Sequence, residues 1–330
     1  MSKTHYGSLG YQMENALKAV FHPGRSKHLD KRYGRHRETI YSIETMRNMS
    51  ANVHQFGRFV KYNWPEVKRV EQITPGMAQA FIDELVRRER SGGWIGRVCS
   101  TLRKLDIACR TAGIFPQDAL PLLPFKEQGG PGGFHSEPRP IAYTDEQAHA
   151  IIAFITPSNP VVARLLTLMW VTGLRVSEAT YLKAGNIDLE QSALSLNAED
   201  NSNRTKGGKP RPITFQPEHK AFLELLKCSG EKNPTGHIFR DRRRLPVRAR
   251  LLVSKACEAL DIPCLSTHGF RKTFAEQDYQ RNVDAGATDQ QALLKTARQL
   301  GHNRADVTRQ SYISPNRRMR DVRRNNGRKA

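Results

Sequence analysis

The chain has 330 residues, 38% of them hydrophobic, which is enough to bury two cores and excludes a disordered polyelectrolyte. Its 53 Lys and Arg outnumber 32 Asp and Glu, a formal net charge of +21, and a globular chain this basic is built to face a polyanion. No apolar run reaches the length of a membrane span, Met1 to Tyr11 lacks the apolar core of a signal peptide, and Cys99, Cys109, Cys228, Cys257 and Cys264 form no CxxC pair. The expectation is a cytoplasmic protein with free thiols, no zinc site and no membrane partner.

In chain order, residues 1–40 are polar and basic, and Arg25, Lys27, Lys31, Arg32, Arg35 and Arg37 crowd their second half. They are expected to form a basic N-terminal arm, flexible or tracking along DNA. Residues 41–125 predict a helical domain of three amphipathic helices. Ile43, Met46, Val53, Phe56 and Phe59 recur at helical spacing in the first. The second starts at Thr74, an N-cap, with Pro75 in its first turn, and its apolar face is Met77, Phe81, Ile82 and Leu85. Ser91-Gly92-Gly93 separates it from the third, whose stripe is Val98, Leu102, Leu105 and Cys109. The outer faces carry Arg87, Arg97, Arg103 and Lys104, candidate DNA contacts. Residues 126–143 are a linker, since Gly and Pro dominate 126–140 and nothing there is periodic.

A second domain spans residues 144–316. Thr144 with Gln147 three residues later is a capping box that opens it. The apolar run Ala163 to Val171 is a buried helix ending at Gly173. One strand covers Ala193 to Leu196 and another ends over Pro210 to Phe215, with Lys206 to Lys209 in the turn between them; helices return from Glu218. Arg242, Arg243 and Arg244 lie in a second basic run, and residues 317–330 are a basic tail. The fold expected is mainly α with a small antiparallel β-sheet in the second domain. Contact with a phosphate backbone explains the gathered charge more economically than acidic lipid does, because no amphipathic helix with a bulky apolar face accompanies the tail.

Four segments carry polar residues that a plain helical core does not need. In TGLRVSE, Thr172 to Glu178, Arg175 sits at a helix-to-helix junction, where its planar fork of donors suits a phosphate and Glu178 can orient it; alone, the two read equally as a structural ion pair. In RTKGGKPRPITF, Arg204 to Phe215, Lys206 on a turn can reach into a site and donate a proton, with Lys209 as competitor and a solvated turn lysine as the plainer reading. In THGFRKTF, Thr267 to Phe274, His268 and Arg271 share a helical face at i, i+3. In LGHNRADVTRQSYIS, Leu300 to Ser314, Gly301 ends a helix, His302 follows and Tyr312 lies just before Pro315; most such tyrosines are half-buried packing residues.

Taken singly these signals are weak, but their order is Arg, Lys, His-x-x-Arg, Gly-His, Tyr. The set resembles the tyrosine recombinase (phage integrase) family over roughly residues 144–316. The resemblance implies a two-domain architecture, a helical core-binding domain followed by a mixed α/β catalytic domain. It implies a site-specific DNA recombinase that cuts and rejoins strands through a 3′-phosphotyrosine on Tyr312, integrating or excising a prophage or other mobile element. Arg175 and Arg271 would clamp the phosphate, with His302 hydrogen-bonding to it. Lys206 would protonate the leaving 5′ oxygen, His268 would accept the tyrosine proton or hold the phosphate, and Glu178 would stand behind them. No cofactor or metal is implied. The implied partners are double-stranded DNA, three further copies of the chain assembled on two recombination sites, and accessory DNA-bending proteins. The chain departs from the family in one place: Tyr312 follows His302 by ten residues where nine is common. Tyr279 is the rival nucleophile, mid-helix and upstream of His302. A type IB-like topoisomerase and a non-catalytic DNA-binding protein on the same fold are the alternatives.

Overall fold

The structure, a computed structural model, describes residues 7–124, 142–196, 210–302 and 305–313. The chain divides into two compact units, Met1–Pro138 and Arg139–Ala330, each with its own apolar core.

The first unit is helical. Helix α1 (Leu9–Lys18) starts at Ser8, whose hydroxyl accepts from the Tyr11 N–H, and buries Leu9, Met13, Ala16 and Leu17. Residues 1–40 are therefore not simply an arm, because Met13 and Leu17 are fully buried against the later helices of this unit. A short helix α2 (Lys27–Arg32) follows, with Asp30 buried between Arg25 and the Tyr41 hydroxyl. Helix α3 (Ile43–Asn63) buries Met46, Val53, Phe56 and Val60. Ile43, expected on its apolar face, is 59% exposed because it stands at the first turn, before the stripe reaches the core. Helix α4 (Pro75–Arg87) has the expected Thr74 cap, accepting from the Met77 N–H at 3.3 Å, and Phe81 packs against Phe56 with ring centroids 5.3 Å apart. Helix α5 (Gly92–Thr111) buries all four residues of its expected stripe. Fully burying a Leu, Val or Phe contributes about 1.5–3 kcal/mol, so these stripes hold the unit together.

The second unit starts at helix α6 (Asp145–Ile155), whose capping box closes through Gln147 N–H to Thr144 Oγ1 at 3.2 Å and Thr144 N–H to Gln147 Oε1 at 3.1 Å. Helix α7 (Pro160–Thr172) is apolar nearly all round and central to the core, with Leu165, Leu166 and Leu168 fully buried. After helix α8 (Val176–Thr180) come strands β1 (Ile187–Asp188), β2 (Ala193–Leu196) and β3 (Arg211–Thr214). They form one antiparallel sheet in the order β1-β2-β3, with Leu196 opposite Arg211. Helices α9 (Lys220–Glu231), α10 (Leu245–Ala259), α11 (His268–Asp284), α12 (Asp289–Leu300) and α13 (Ala305–Tyr312) complete it. The protein is thus mainly α with a small antiparallel sheet, as the sequence pattern predicts. The expected linker core, the Lys206–Lys209 turn and the basic tail lie outside the described residues. Among the described residues no helix is long and apolar enough to cross a membrane.

Candidate active site

The site is assembled where α7, α11 and α12 end or begin. Helix α7 stops at Gly173, whose φ is +64° and whose N–H bonds the Met169 carbonyl at 2.9 Å. A Cβ there would lie 2.3 Å from Phe274 Cδ1, so both the left-handed turn and the close packing require glycine. The turn makes Arg175 the N-cap of α8. Its N–H donates to Glu178 Oε2 at 2.8 Å, and its Nη1 donates to Oε1 at 2.8 Å.

Glu178 is fully buried and bridges more than one arginine. Arg211 sits on the inward face of β3 with Ile213 and donates Nη1 to Oε1 at 3.1 Å and Nη2 to Oε2 at 2.7 Å. Arg271 Nη1 lies 3.8 Å from Oε2. Three guanidiniums thus converge on one carboxylate. Burial alone would raise the Glu178 pKa, but the Arg211 hydrogen bonds and the Arg211 and Arg175 charges outweigh it and hold the carboxyl below its ordinary range. Three positive charges against one negative leave the cluster with an excess that suits an anion.

Arg271 is fully buried on the first turn of α11. Its Nη1 donates to the Gly173 carbonyl and its Nη2 to the Leu300 carbonyl at 2.6 Å, so the C-terminal ends of α7 and α12 hold the cation through their buried terminal carbonyls. Burial, then the neighbouring Arg175 charge, lowers its pKa to about 10. At the end of α12, Gly301 has φ +67°, and the His302 N–H bonds back to the Ala297 carbonyl at 2.8 Å. This left-handed exit turns the His302 ring toward the arginines, with Nε2 at 3.4 Å from Arg271 Nη2 and Nδ1 at 2.9 Å from the hydroxyl of Thr308, itself fully buried on α13.

Tyr312 ends α13 and is 7% exposed. Its hydroxyl is 3.1 Å from His268 Nε2, its ring centroid is 4.7 Å from that of His302, and the Arg271 guanidinium carbon lies 5.6 Å from its ring centroid. The ten-residue spacing from His302 therefore leaves the phenol inside the cluster. Desolvation, then the charges of Arg271, Lys272 and Arg175, lowers the His268 pKa to about 4, although the residue as a whole is exposed to solvent. Burial followed by Arg271, Arg175 and Arg211 does the same to His302. Both shifts favour the neutral imidazole, and His268 Nε2 lies within hydrogen-bond distance of the Tyr312 hydroxyl.

The sequence model of the phage integrase family matches residues 142–318, more than half of the chain. The chain belongs to the phage integrase family. It is an enzyme of the class the family's tyrosine recombinases define, the tyrosine-type site-specific recombinases. Among curated relatives it is similar to tyrosine recombinase XerC of Anoxybacillus flavithermus, 25% identical over 282 residues, which is 79% of this chain and 88% of the relative. It also matches XerC of Bacillus pumilus at 22% over 298 residues, 84% of this chain and 92% of the relative. In fold it is similar to the XerH site-specific recombinase bound to palindromic difH substrate, with TM-score 0.62 at 15% identity over 95% of this chain and 93% of that one. A lambda integrase dimer bound to a COC′ core site gives TM-score 0.61 at 16% identity, over 88% of this chain and 95% of that one.

Five of the six residues singled out in the recombinase sequence (Arg175, His268, Arg271, His302 and Tyr312) are neighbours in space, and Glu178 lies beneath them. Lys206 and its competitor Lys209 lie outside the described residues. Tyr279 is fully buried and donates to Asp289 Oδ1 at 2.6 Å, a structural place. Sequence reasoning missed Arg211, Thr308 and Lys272, whose ammonium lies 5.9 Å from the Tyr312 ring centroid. The only trace of Arg211 in the sequence is its i, i+2 spacing from Ile213, which puts both on the inward face of the strand but is too short a pattern to stand out. The candidate DNA contacts are not equally free. Arg97, Arg243 and Arg244 are exposed, Arg87 is paired with Glu84, Arg103 donates to the Pro124 carbonyl at 3.2 Å, and Arg242 lies over the Tyr181 ring. Lys104 donates to the carbonyls of Arg37 and Thr39, and burial lowers its pKa to about 8, so it acts first as a strut within the first unit.

Proposed function

We propose that this recombinase cleaves and rejoins DNA strands through a covalent bond to Tyr312. The observation that carries the reading is the Tyr312 hydroxyl set 3.1 Å from a neutral His268, beside a buried guanidinium cluster with excess positive charge. The phenol oxygen attacks the scissile phosphorus while its proton passes to His268 Nε2. A 3′-phosphotyrosine forms and the bond to the 5′ oxygen breaks. Arg175 and Arg271 stabilise the charge on the non-bridging oxygens, and Glu178 with Arg211 fixes the direction of Arg175. His302 hydrogen-bonds to the same phosphate. Lys206 gives its proton to the departing oxygen. Leu196 and Arg211 are paired in the sheet and Arg211 touches Glu178, which supports that role for a lysine that lies between them in sequence. A 5′-hydroxyl from a partner strand then displaces the tyrosine. Each step exchanges one phosphoester for another, so no energy source is needed.

Double-stranded DNA is the substrate. Arg97, Arg243 and Arg244, then Arg87, Arg103 and Arg242, supply backbone contacts, and Lys104 supplies one only if it releases its carbonyls. Four subunits on two recombination sites, aided by DNA-bending proteins, complete two strand exchanges. The family's description as phage integrases supports a prophage or other mobile element as the DNA that is moved. The test is a nicked suicide duplex that traps covalent protein. Wild type is expected to form the adduct and Tyr312→Phe none, and an undiminished adduct in the variant overturns the reading. Mapping the cleavage position on flanking genomic DNA tests the mobile-element assignment.

A further inference from the structure

We infer that Thr308 is a positioning residue that fixes His302 in one tautomer, with its proton on Nδ1 and the Nε2 lone pair facing the phosphate site. The inference rests on the proposed function for its consequence and on hydrogen-bond geometry for its content. Arg271 Nη2 lies 3.4 Å from His302 Nε2, and a guanidinium only donates, so Nε2 is the accepting nitrogen. In a neutral ring the other nitrogen then carries the hydrogen, and Nδ1–H donates to Thr308 Oγ1 at 2.9 Å. Thr308 is fully buried, so water does not compete for the bond.

The placement of Thr308 gives this bond a second effect. Thr308 and Tyr312 are four residues apart on α13, one above the other on a helical face. The contact that orients His302 therefore forms only when the helix carrying the nucleophile is docked. With Nδ1 committed to Thr308, Nε2 can hydrogen-bond to a phosphate oxygen only after gaining a proton. A bound phosphate supplies the negative charge that favours this, and the proton comes from solvent. His302 then stands as an imidazolium, with one N–H on Thr308 and the other on the phosphate.

The test uses the full chain labelled with 15N-histidine, and His302→Gln identifies the His302 signal. Wild type is expected to show the Nδ1–H tautomer, Thr308→Ser to retain it, and Thr308→Val to lose it. In single-turnover cleavage of the nicked duplex, Thr308→Val is expected to be slower by about 10–100-fold, the size of a lost hydrogen bond to a charged group, with duplex affinity unchanged. Thr308→Ser is expected to restore most of the rate. An Nε2–H tautomer in wild type overturns the inference, and so does a Thr308→Val enzyme with unchanged tautomer and rate. If Thr308→Val does not fold, the wild-type tautomer still decides. Failure of the functional reading is separately visible, because it appears as an adduct formed by Tyr312→Phe.

Discussion

Arg211 grips Glu178 with both terminal nitrogens, at 3.1 and 2.7 Å, and the carboxylate it holds is the one that directs Arg175. Removing that charge would leave Arg175, Arg211 and Arg271 facing one another without the carboxylate that offsets them. Glu178→Gln is therefore expected to destabilise the second unit by about 3–5 kcal/mol, the usual cost of breaking a buried ion pair from one side. Arg211→Lys keeps the charge but loses the two-pronged contact, and about 1.5–3 kcal/mol is expected to go with it. Urea unfolding followed by tryptophan fluorescence checks both, and an unchanged midpoint for Glu178→Gln contradicts the arrangement.

The two tyrosines of the second unit that competed for the role of nucleophile make opposite predictions. Tyr279 donates its hydroxyl to Asp289 inside the fold, so Tyr279→Phe is expected to lower stability by about 1 kcal/mol and leave covalent adduct formation intact. Tyr312→Phe is expected to abolish the adduct while duplex affinity persists. A gel shift beside the suicide-substrate assay separates the cases. Loss of adduct in Tyr279→Phe with normal folding would reverse the assignment.

What the sequence disclosed and what it hid divide along physical lines. Caps are local events between residues three apart, so Thr74 with Pro75 and Thr144 with Gln147 were readable and stand as expected. Chemistry-bearing motifs were readable because Gly173 and Gly301 mark the helix ends at which Arg175 and His302 turn inward. Arg211 escaped because β3 has four residues, too few for an alternation to stand out, and prolines flank it. Thr308 escaped because a threonine in a polar helix carries no sign of its partner six residues earlier. Helix α1 was hidden by composition: the charge of residues 1–40 masked the helical spacing of Leu9, Met13 and Leu17. Lys104 read as an outer-face cation because nothing local shows that residues 37 and 39 fold back to receive it.

The leaving group offers a test of the lysine. If Lys206 protonates the departing 5′ oxygen, Lys206→Ala is expected to cleave an ordinary duplex slower by about 10²–10⁴-fold. A duplex with sulfur at the bridging 5′ position should restore the rate, since a thiolate departs without a proton. Lys209→Ala is expected to cleave both substrates at near wild-type rates. Rescue of Lys209→Ala instead would transfer the role to that residue.

Acid should act on the free protein through the two site histidines. Each has a pKa of about 4 in the fold against an ordinary 6.5, so the native state prefers them neutral. Between pH 6.5 and 4 the unfolded chain binds more protons than the native one, and stability falls as pH drops through that window, with the full contribution present above it. Bound phosphate works in the opposite direction by offsetting the arginine charge, so binding of a nicked duplex is expected to take up protons below neutrality. Calorimetry in two buffers of different ionisation enthalpy measures the uptake. A binding enthalpy independent of the buffer at about pH 6 contradicts the electrostatic account.

Gly301 makes the most local prediction about the site. At φ +67° an alanine is strained by about 1–2 kcal/mol wherever it is placed. At this position the new Cβ would also lie 2.8 Å from Arg211 Nη1 and 2.9 Å from its Cδ. An exposed arginine would swing aside, but this one is held by Glu178 and by the Gln299 carbonyl, so its yielding breaks the grip described above. Gly286 is the control, since it has φ +88° and nothing lies within 4 Å of the point a new methyl group would occupy. Gly286→Ala is expected to show the backbone cost alone, with cleavage unaffected. Gly301→Ala is expected to add about 1–3 kcal/mol of overpacking to that cost and to slow cleavage, because His302 leaves α12 through this residue. Equal losses of stability and activity in the two variants would mean that Arg211 is free to move, and that the carboxylate beneath the site does not hold it.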